Sequence, residues 1–107
     1  MLNFSEIIPN VAIKILDRLH ESHTGIDEFC AMDINIDDHF LFASQLNALF
    51  YSDCISVPED CSQGKDYVFI VKAMYCFKEK IQDAHSKVRL SITVNGRNLR
   101  KKLHNTK

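Results

Sequence analysis

The stretch that decides the fold runs from Gly25 to Ile55 and reads GIDEFCAMDINIDDHFLFASQLNALFYSDCI. Its pattern predicts a short helix over Ile26–Met32, then a polar turn, and then a longer helix from about Asp37 to Ser52. The first turn of the short helix holds Asp27 and Glu28, whose charges suit the positive end of a helix dipole. Two consecutive helices joined by a turn therefore form the predicted centre of the domain.

The longer helix has the clearest pattern in the chain. Phe42, Leu46 and Leu49 repeat at the spacing of one helical face, and Asp37 or Asp38 is suited to accept hydrogen bonds as the N-cap. After this helix the sequence changes to small polar residues. The segment that follows, residues 55–57, alternates in polarity as the start of a strand does.

A first helix is predicted upstream, from Ile8 or Pro9 to Glu21. Pro9 suits the first turn, because its missing N–H has no helical partner there. Gly25 follows this helix and is available for a left-handed turn. The apolar face predicted to be buried consists of Ile8, Val11, Ala12, Ile15, Leu16 and Leu19.

Two further segments are predicted to be strands. Asp66–Phe77 is rich in residues that favour strands. Val88–Val94 alternates strictly, which predicts a strand with one buried side. The intervening residues 78–87 fit either a long hairpin loop or a short helix. The side predicted to be buried carries Val88, Leu90, Ile92 and Val94.

A short basic helix, Arg97–His104, is predicted at the end of the chain, with Leu99 and Leu103 one turn apart. Asn95 and Gly96 precede it and form a strong turn signal. The expected fold is a single α+β domain over residues 1–107. It has three N-terminal helices, a two- or three-stranded antiparallel sheet and a basic C-terminal helix.

This order of elements resembles the winged helix-turn-helix superfamily over residues 8–57 and 86–104. The resemblance lies in the two consecutive helices, in the short Asp53-Cys54-Ile55 segment that opens the first strand, and in LSITVNGRNLRKKL at residues 90–103. The last segment is similar to the strand, glycine turn and helix that end many wings. The resemblance is to a general fold pattern, and it implies a binding module rather than an enzyme.

Composition narrows the class of protein. A hydrophobic fraction of 46% and a charged fraction of 25% are typical of a globular domain. No apolar run approaches the roughly 20 residues that a membrane helix needs, and the N-terminal segment lacks the basic start of a signal peptide. We therefore expect a cytoplasmic protein with four reduced cysteines and no membrane partner.

Charge is divided unequally along the chain. Residues 1–64 contain two basic and eleven acidic residues, a net charge of −9, whereas residues 65–107 contain eleven basic and three acidic residues, a net charge of +8. Such asymmetry predicts contact between the C-terminal half and a polyanion, or charge-guided self-association as a homodimer. A solvated surface that only maintains solubility is the alternative. The residues predicted to contact the phosphates of double-stranded DNA are Lys87, Arg89, Arg97, Arg100, Lys101 and Lys102.

Candidate base-reading residues lie on the predicted longer helix. Ser44, Gln45 and Asn47 carry groups that hydrogen-bond base edges. However, no Lys or Arg occurs between Arg18 and Lys65, so this acidic region would repel phosphates. Two hypotheses follow. The first is a small non-enzymatic nucleic-acid-binding protein, similar to a transcription regulator. The second is a protein–protein interaction module that binds a basic protein partner through its acidic helices.

Metal and catalytic sites have little support in the sequence. His20, His23 and Cys30 could contribute metal ligands, but there is no CxxC pair, and an exposed histidine pair with a buried cysteine explains the pattern better. No GxSxG, glycine-rich phosphate loop or HExxH motif is present. We therefore predict no catalytic residues, no metal site and no cofactor.

Overall fold

The computed structural model describes residues 6–57 and 81–105. These residues form a small α+β domain with three α-helices and a three-stranded antiparallel sheet. The predicted strand Asp66–Phe77 lies outside the described residues, as do residues 78–80, whereas residues 81–87 form turns and bends without a helix. The elements in chain order are α1 (Pro9–Glu21), β1 (Ile26–Phe29), a 3-10 helix (Ala31–Ile34), α2 (His39–Tyr51), β2 (Ile55–Ser56), β3 (Val88–Ile92) and α3 (Val94–Asn105).

The predicted bounds of α1 are confirmed. The helix begins at Pro9 and ends at Glu21. Its core-facing residues are fully buried, and they lie at the spacing that the sequence predicted for one apolar face. These residues are Ala12, Ile15, Leu16 and Leu19.

The helix predicted over Ile26–Met32 is wrong. Residues Ile26–Phe29 form β1, which pairs with β3 so that Phe29 lies opposite Val88. Gly25 adopts a φ of 74°, as expected for a left-handed turn, and its carbonyl accepts a hydrogen bond of 2.9 Å from the Ile92 N–H. Backbone groups that a helix would satisfy locally are therefore satisfied by a strand far along the chain.

The sheet is ordered β1-β3-β2, with both outer strands antiparallel to the central one. Val88 and Leu90 of β3 are buried while Arg89 between them is exposed, so the predicted alternation is confirmed for this strand. Val94 does not continue it. Val94 is the first residue of α3 and is 74% exposed.

α2 matches its predicted position closely. The Asp38 carboxylate caps it by accepting hydrogen bonds from the Phe40 and Leu41 N–H groups at 3.1 and 3.2 Å. At its other end the Cys54 N–H donates to the Leu49 carbonyl at 2.8 Å, and Asp53 has a φ of 59°. This is a left-handed helix end in which an aspartate takes the position that glycine usually holds.

The predicted turn at Asn95 and Gly96 is also wrong, because both residues lie inside α3. The Thr93 hydroxyl oxygen accepts a hydrogen bond of 3.0 Å from the Gly96 N–H and thereby acts as the N-cap. Gly96 is buried, and a Cβ added there would lie 2.1 Å from the Cys54 carbonyl oxygen. Glycine is needed here for a close approach between α3 and the end of α2, not for a turn.

Candidate nucleic-acid interface

The three predicted base-reading residues lie in the interior of the domain. Ser44, Gln45 and Asn47 are 2%, 0% and 7% exposed. All six consecutive residues Ser44–Leu49 are buried, and six residues cover more than one and a half turns of helix. The middle of α2 therefore has no open side that could lie in a DNA groove, and the side chains of Ser44, Gln45 and Asn47 are not accessible to base edges.

Gln45 has a clear structural role instead. Its carboxamide oxygen accepts a hydrogen bond of 2.7 Å from the Ile8 N–H, and its amide nitrogen donates to the Glu6 carbonyl at 3.0 Å. The side chain thus satisfies one donor and one acceptor of the backbone that leads into α1. A buried polar side chain with both ends hydrogen-bonded fixes the position of that segment.

The predicted phosphate-contacting residues do not form a single patch. Arg97 and Arg100 face α1. The Arg100 Nε lies 2.6 Å from the Asp17 Oδ1, and the Arg97 Nη1 lies 2.8 Å from the His20 Nδ1. These contacts hold α3 against α1, in an antiparallel arrangement.

Asp17 is the centre of this contact. In addition to Arg100, its Oδ1 accepts a hydrogen bond of 2.8 Å from the His104 Nε2. Partial burial raises the pKa of Asp17, but the hydrogen bonds and charges of His104 and Arg100 outweigh this effect and hold the pKa below its usual value of 3.8. Asp17 is therefore ionised at neutral pH and joins two residues of α3 to α1.

Lys87 and Arg89 lie on a different side of the domain. Arg89 is opposite Glu28 in the antiparallel pair of β3 and β1. Its neighbours Val88 and Leu90 point into the core, so Arg89 lies on the outer face of the sheet. Lys87 is an exposed residue immediately before this strand. The charge of Lys87 acts on Asp33 of the 3-10 helix, whose pKa it helps to lower, so these two cations do not extend the basic surface of α3.

Lys101 and Lys102 point outward from α3. Both are exposed, whereas Leu99 and Leu103 on the opposite side pack against the core. The sequence of α3, VNGRNLRKKLHN, contains no acidic residue. Its outer face therefore combines positive charge with the side-chain amides of Asn98 and Asn105, and α3 itself contributes no carboxylate.

The amides of α3 were missed at the level of sequence. Asn98 lies inside the predicted helix Arg97–His104, and the positions of Leu99 and Leu103 already place it on the outer face. It was missed because only the charged residues of this helix were predicted to contact nucleic acid, and Asn105 lies one residue beyond the predicted end.

A second surface, at the opposite end of α2, is acidic and partly apolar. Asp33, Asp37 and Asp38 are exposed there, close in sequence to Met32 and Phe40, which are 43% and 69% exposed. A hydrogen bond from the Cys30 backbone N–H lowers the pKa of Asp33. Carboxylates interspersed with large apolar side chains suit a basic, amphipathic partner.

Other kinds of site find no support in residues 6–57 and 81–105. No group of three His, Cys, Asp or Glu side chains in these ranges could hold a metal ion. Of the candidate ligands, His20 contacts Arg97 and Cys30 is buried. Among the same residues, no helix has the length and apolar character needed to cross a bilayer.

Comparison with known proteins gives no relative from which a site could be transferred. No model of a protein family matches the chain, and no significant match is found among the curated proteins or the solved structures.

Proposed function

We propose that this chain is a small, non-enzymatic nucleic-acid-binding protein of the winged helix-turn-helix type, similar to a transcription regulator, and that α3 carries its interface. The order of elements supports the fold assignment. If the 3-10 helix Ala31–Ile34 is counted as the second helix, three helical segments precede the antiparallel pair β2–β3, and a basic helix follows. This order, in which β1 lies between α1 and the 3-10 helix, supports the proposal.

The outer face of α3 carries the proposal. Lys101 and Lys102 are exposed on a helix that has no carboxylate, while the helix is fixed on its other side by Asp17. Lysines held in this way neutralise phosphates and release counterions, which gives salt-dependent binding. Lys87 and Arg89 on the sheet would reach phosphates only where the nucleic acid extends around the domain.

A fluorescence anisotropy titration on a 20-base-pair duplex, repeated over a series of salt concentrations, tests the proposal. We expect binding that weakens with salt, with a slope of log K against log salt of about −2 to −4 for two to four neutralised phosphates. Lys101→Ala combined with Lys102→Ala should reduce the slope by about 2. No binding at low salt would overturn the proposal.

Lys14→Ala provides the matched control, because Lys14 is an exposed lysine of α1. Its Nζ makes only a 3.4 Å contact with the Asn35 carbonyl. The control should leave duplex affinity unchanged. Equal losses for Lys14→Ala and Lys101→Ala would show that net charge, rather than α3, determines binding.

A protein–protein interaction module is the second candidate, and the acidic surface supports it. Met32 and Phe40 are exposed and are close in sequence to three exposed carboxylates, so this segment offers a basic amphipathic peptide both charge and apolar contact. A calorimetric titration with a synthetic Lys/Leu helical peptide tests this candidate. Phe40→Ala with Asp37→Asn should weaken binding, while Asp38 is kept because it caps α2. Unchanged affinity for the peptide would show that this surface is not the binding site.

Homodimerisation stays a prediction that rests on the charge asymmetry between the two halves of the chain. Sedimentation velocity at several protein and salt concentrations tests it. A dimer held by charge should dissociate as the salt concentration rises. A monomer at every concentration would contradict it.

A further inference from the structure

One stripe of α3 has the layout of a base-reading surface. Val94, Asn98, Lys101 and Asn105 follow the spacing i, i+4, i+7 and i+11, so they lie on one line along the helix. All four are exposed. About half of the circumference of α3 is open, because its packed side is formed by Gly96, Leu99, Arg100 and Leu103.

Lysines lie on and beside this stripe. At roughly 100° per residue, Lys102 lies to one side of the line and Arg97 to the other, but the Arg97 guanidinium is held against α1 by its 2.8 Å contact with the His20 Nδ1. The major groove of B-DNA is about 12 Å wide and admits an α-helix between two phosphate walls. An exposed line that carries two amides, with Lys101 on it and Lys102 beside it, therefore matches the groove: the amides face the base edges, and the lysines face the phosphates.

Asn98 and Asn105 are available for this role. The amide of Asn95 is already used, since its Nδ2 donates to the Asp53 Oδ2 at 3.1 Å. In the described part of the chain, by contrast, the side chains of Asn98 and Asn105 make no hydrogen bond. Asparagine pairs in bidentate fashion with the N6 and N7 atoms of adenine in the major groove.

The spacing of the two amides also fits a duplex. Seven residues of helix span about 10.5 Å, which corresponds to roughly three base pairs at 3.4 Å each. α3 is held rigidly enough to fix this spacing, because it is tied to α1 through Asp17 and to the end of α2 through Thr93 and Gly96.

We infer that α3, and not α2, is the helix that enters the major groove, and that Asn98 and Asn105 select adenines about three base pairs apart. This inference rests on the proposed nucleic-acid binding and specifies which base sequence is preferred. The apolar Val94 at the start of the stripe would contact a thymine methyl group. Contact with phosphates alone and a homodimer seam along α3 are the competing outcomes.

Selection of duplexes from a randomised pool, with the full chain as bait, tests the inference. The enriched sequences should contain two adenines about three base pairs apart. Anisotropy should then show a preference for the enriched over a scrambled duplex of roughly 5- to 150-fold for each amide contact. Selection without any enrichment would overturn the inference and indicate phosphate contact alone.

Two variants distinguish base reading from general affinity. Asn98→Ala with Asn105→Ala should abolish the preference but keep both the affinity for the scrambled duplex and its salt slope. Lys101→Ala with Lys102→Ala should weaken binding to both duplexes. An undiminished preference in the double Asn variant would overturn the inference while leaving nucleic-acid binding intact.

Asn10→Ala is the control for loss of an exposed amide elsewhere, since Asn10 lies on the surface of α1. It should keep the full preference. A protein that binds no duplex at low salt would overturn the proposed function itself. Concentration-dependent dimerisation that Asn98→Ala with Asn105→Ala disrupts, in a protein without duplex binding, would assign α3 to a homodimer seam and so also overturn the inference.

Discussion

Gly96→Ala tests whether the close approach of α3 to the end of α2 positions the helix. An added Cβ would lie 2.1 Å from the Cys54 carbonyl oxygen and 2.8 Å from the Ile92 Cγ1. Contacts below 3.0 Å are essentially never seen for Cβ atoms, so the backbone on one side must move. The Cys54 carbonyl also accepts the Thr93 N–H at 3.1 Å, and this hydrogen bond would be strained by the same movement.

The change in the free energy of unfolding on Gly96→Ala is the sum of opposing contributions. An alanine in place of glycine within a helix is favourable by about 1 kcal/mol from helix propensity alone. Overpacking against fixed neighbours costs about 1–3 kcal/mol, and loss of the hydrogen bond costs about 1 kcal/mol more. The free energy of unfolding should therefore fall by about 1–3 kcal/mol, the opposite sign from that expected of an ordinary helical glycine.

Urea unfolding followed by circular dichroism measures this change. Asn98→Ala is the matched control, because it lies on the exposed side of the same helix and tests propensity without a clash. It should leave stability unchanged or raise it by up to about 0.7 kcal/mol. If Gly96→Ala proves as stable as the wild-type protein, with an unchanged m-value, the explanation given for this glycine is refuted.

Three further predictions concern the caps, the core and the α1–α3 contact. Asp38→Ala should lower the free energy of unfolding by about 1 kcal/mol, because the α2 cap is lost. The control Asp37→Ala should change it by less than about 0.5 kcal/mol. Equal shifts of the two variants in thermal melts would contradict the role of Asp38 as the cap. Gln45→Glu removes the donor to the residue 6 carbonyl and buries a charge. Urea unfolding at pH 7 should therefore show a free energy of unfolding lower by about 2 kcal/mol or more. A variant as stable as the wild-type protein would contradict this role of Gln45. The pKa of Asp17 is depressed in the folded protein, so its contribution is present above about pH 4 and is lost as the pH falls through the folded-state pKa. Asp17→Asn should therefore lower the free energy of unfolding by about 0.5–1 kcal/mol at pH 7. The variant should also lose less stability than the wild-type protein as the pH falls below about 4. Parallel profiles of stability against pH for the variant and the wild-type protein would exclude the contribution of Asp17.

Elements specified by near neighbours in sequence were predictable. The periodicity of α1, the cap at Asp38 and the alternation of β3 each depend on residues within a few positions of one another. β1 does not. Its four residues carry acidic groups that suit a helix start, and they become a strand because β3 supplies hydrogen bonds from about sixty residues further along. Pairing at that separation leaves no signal in the segment itself.

The candidate site was only partly predictable, because some of its contacts join residues that are far apart in the sequence. Sequence alone indicated a basic C-terminal helix, and Lys101 and Lys102 are indeed exposed on α3. It could not indicate that Arg100 is paired with Asp17, eighty-three positions away. Likewise, Gln45 is polar and therefore expected on the surface, but its partners are backbone groups near residue 8.

The burial of Ser44–Leu49 in the middle of α2 has a consequence for how the domain opens. Amide protons of Ser44–Leu49 can exchange with solvent only when the whole core is disrupted, so they should be the last to acquire deuterium. α3 is attached by its half-buried leucines, by side-chain bonds to α1 and by the contact of Thr93 and Gly96 with Cys54, and its amides should exchange through a smaller opening event. Weakening the Asp17 contact would lower the free energy of both openings, so exchange would accelerate in α3 and in the centre of α2, and α3 would remain the faster of the two. The helix proposed to bind nucleic acid would then open locally more often than the centre of the protein unfolds.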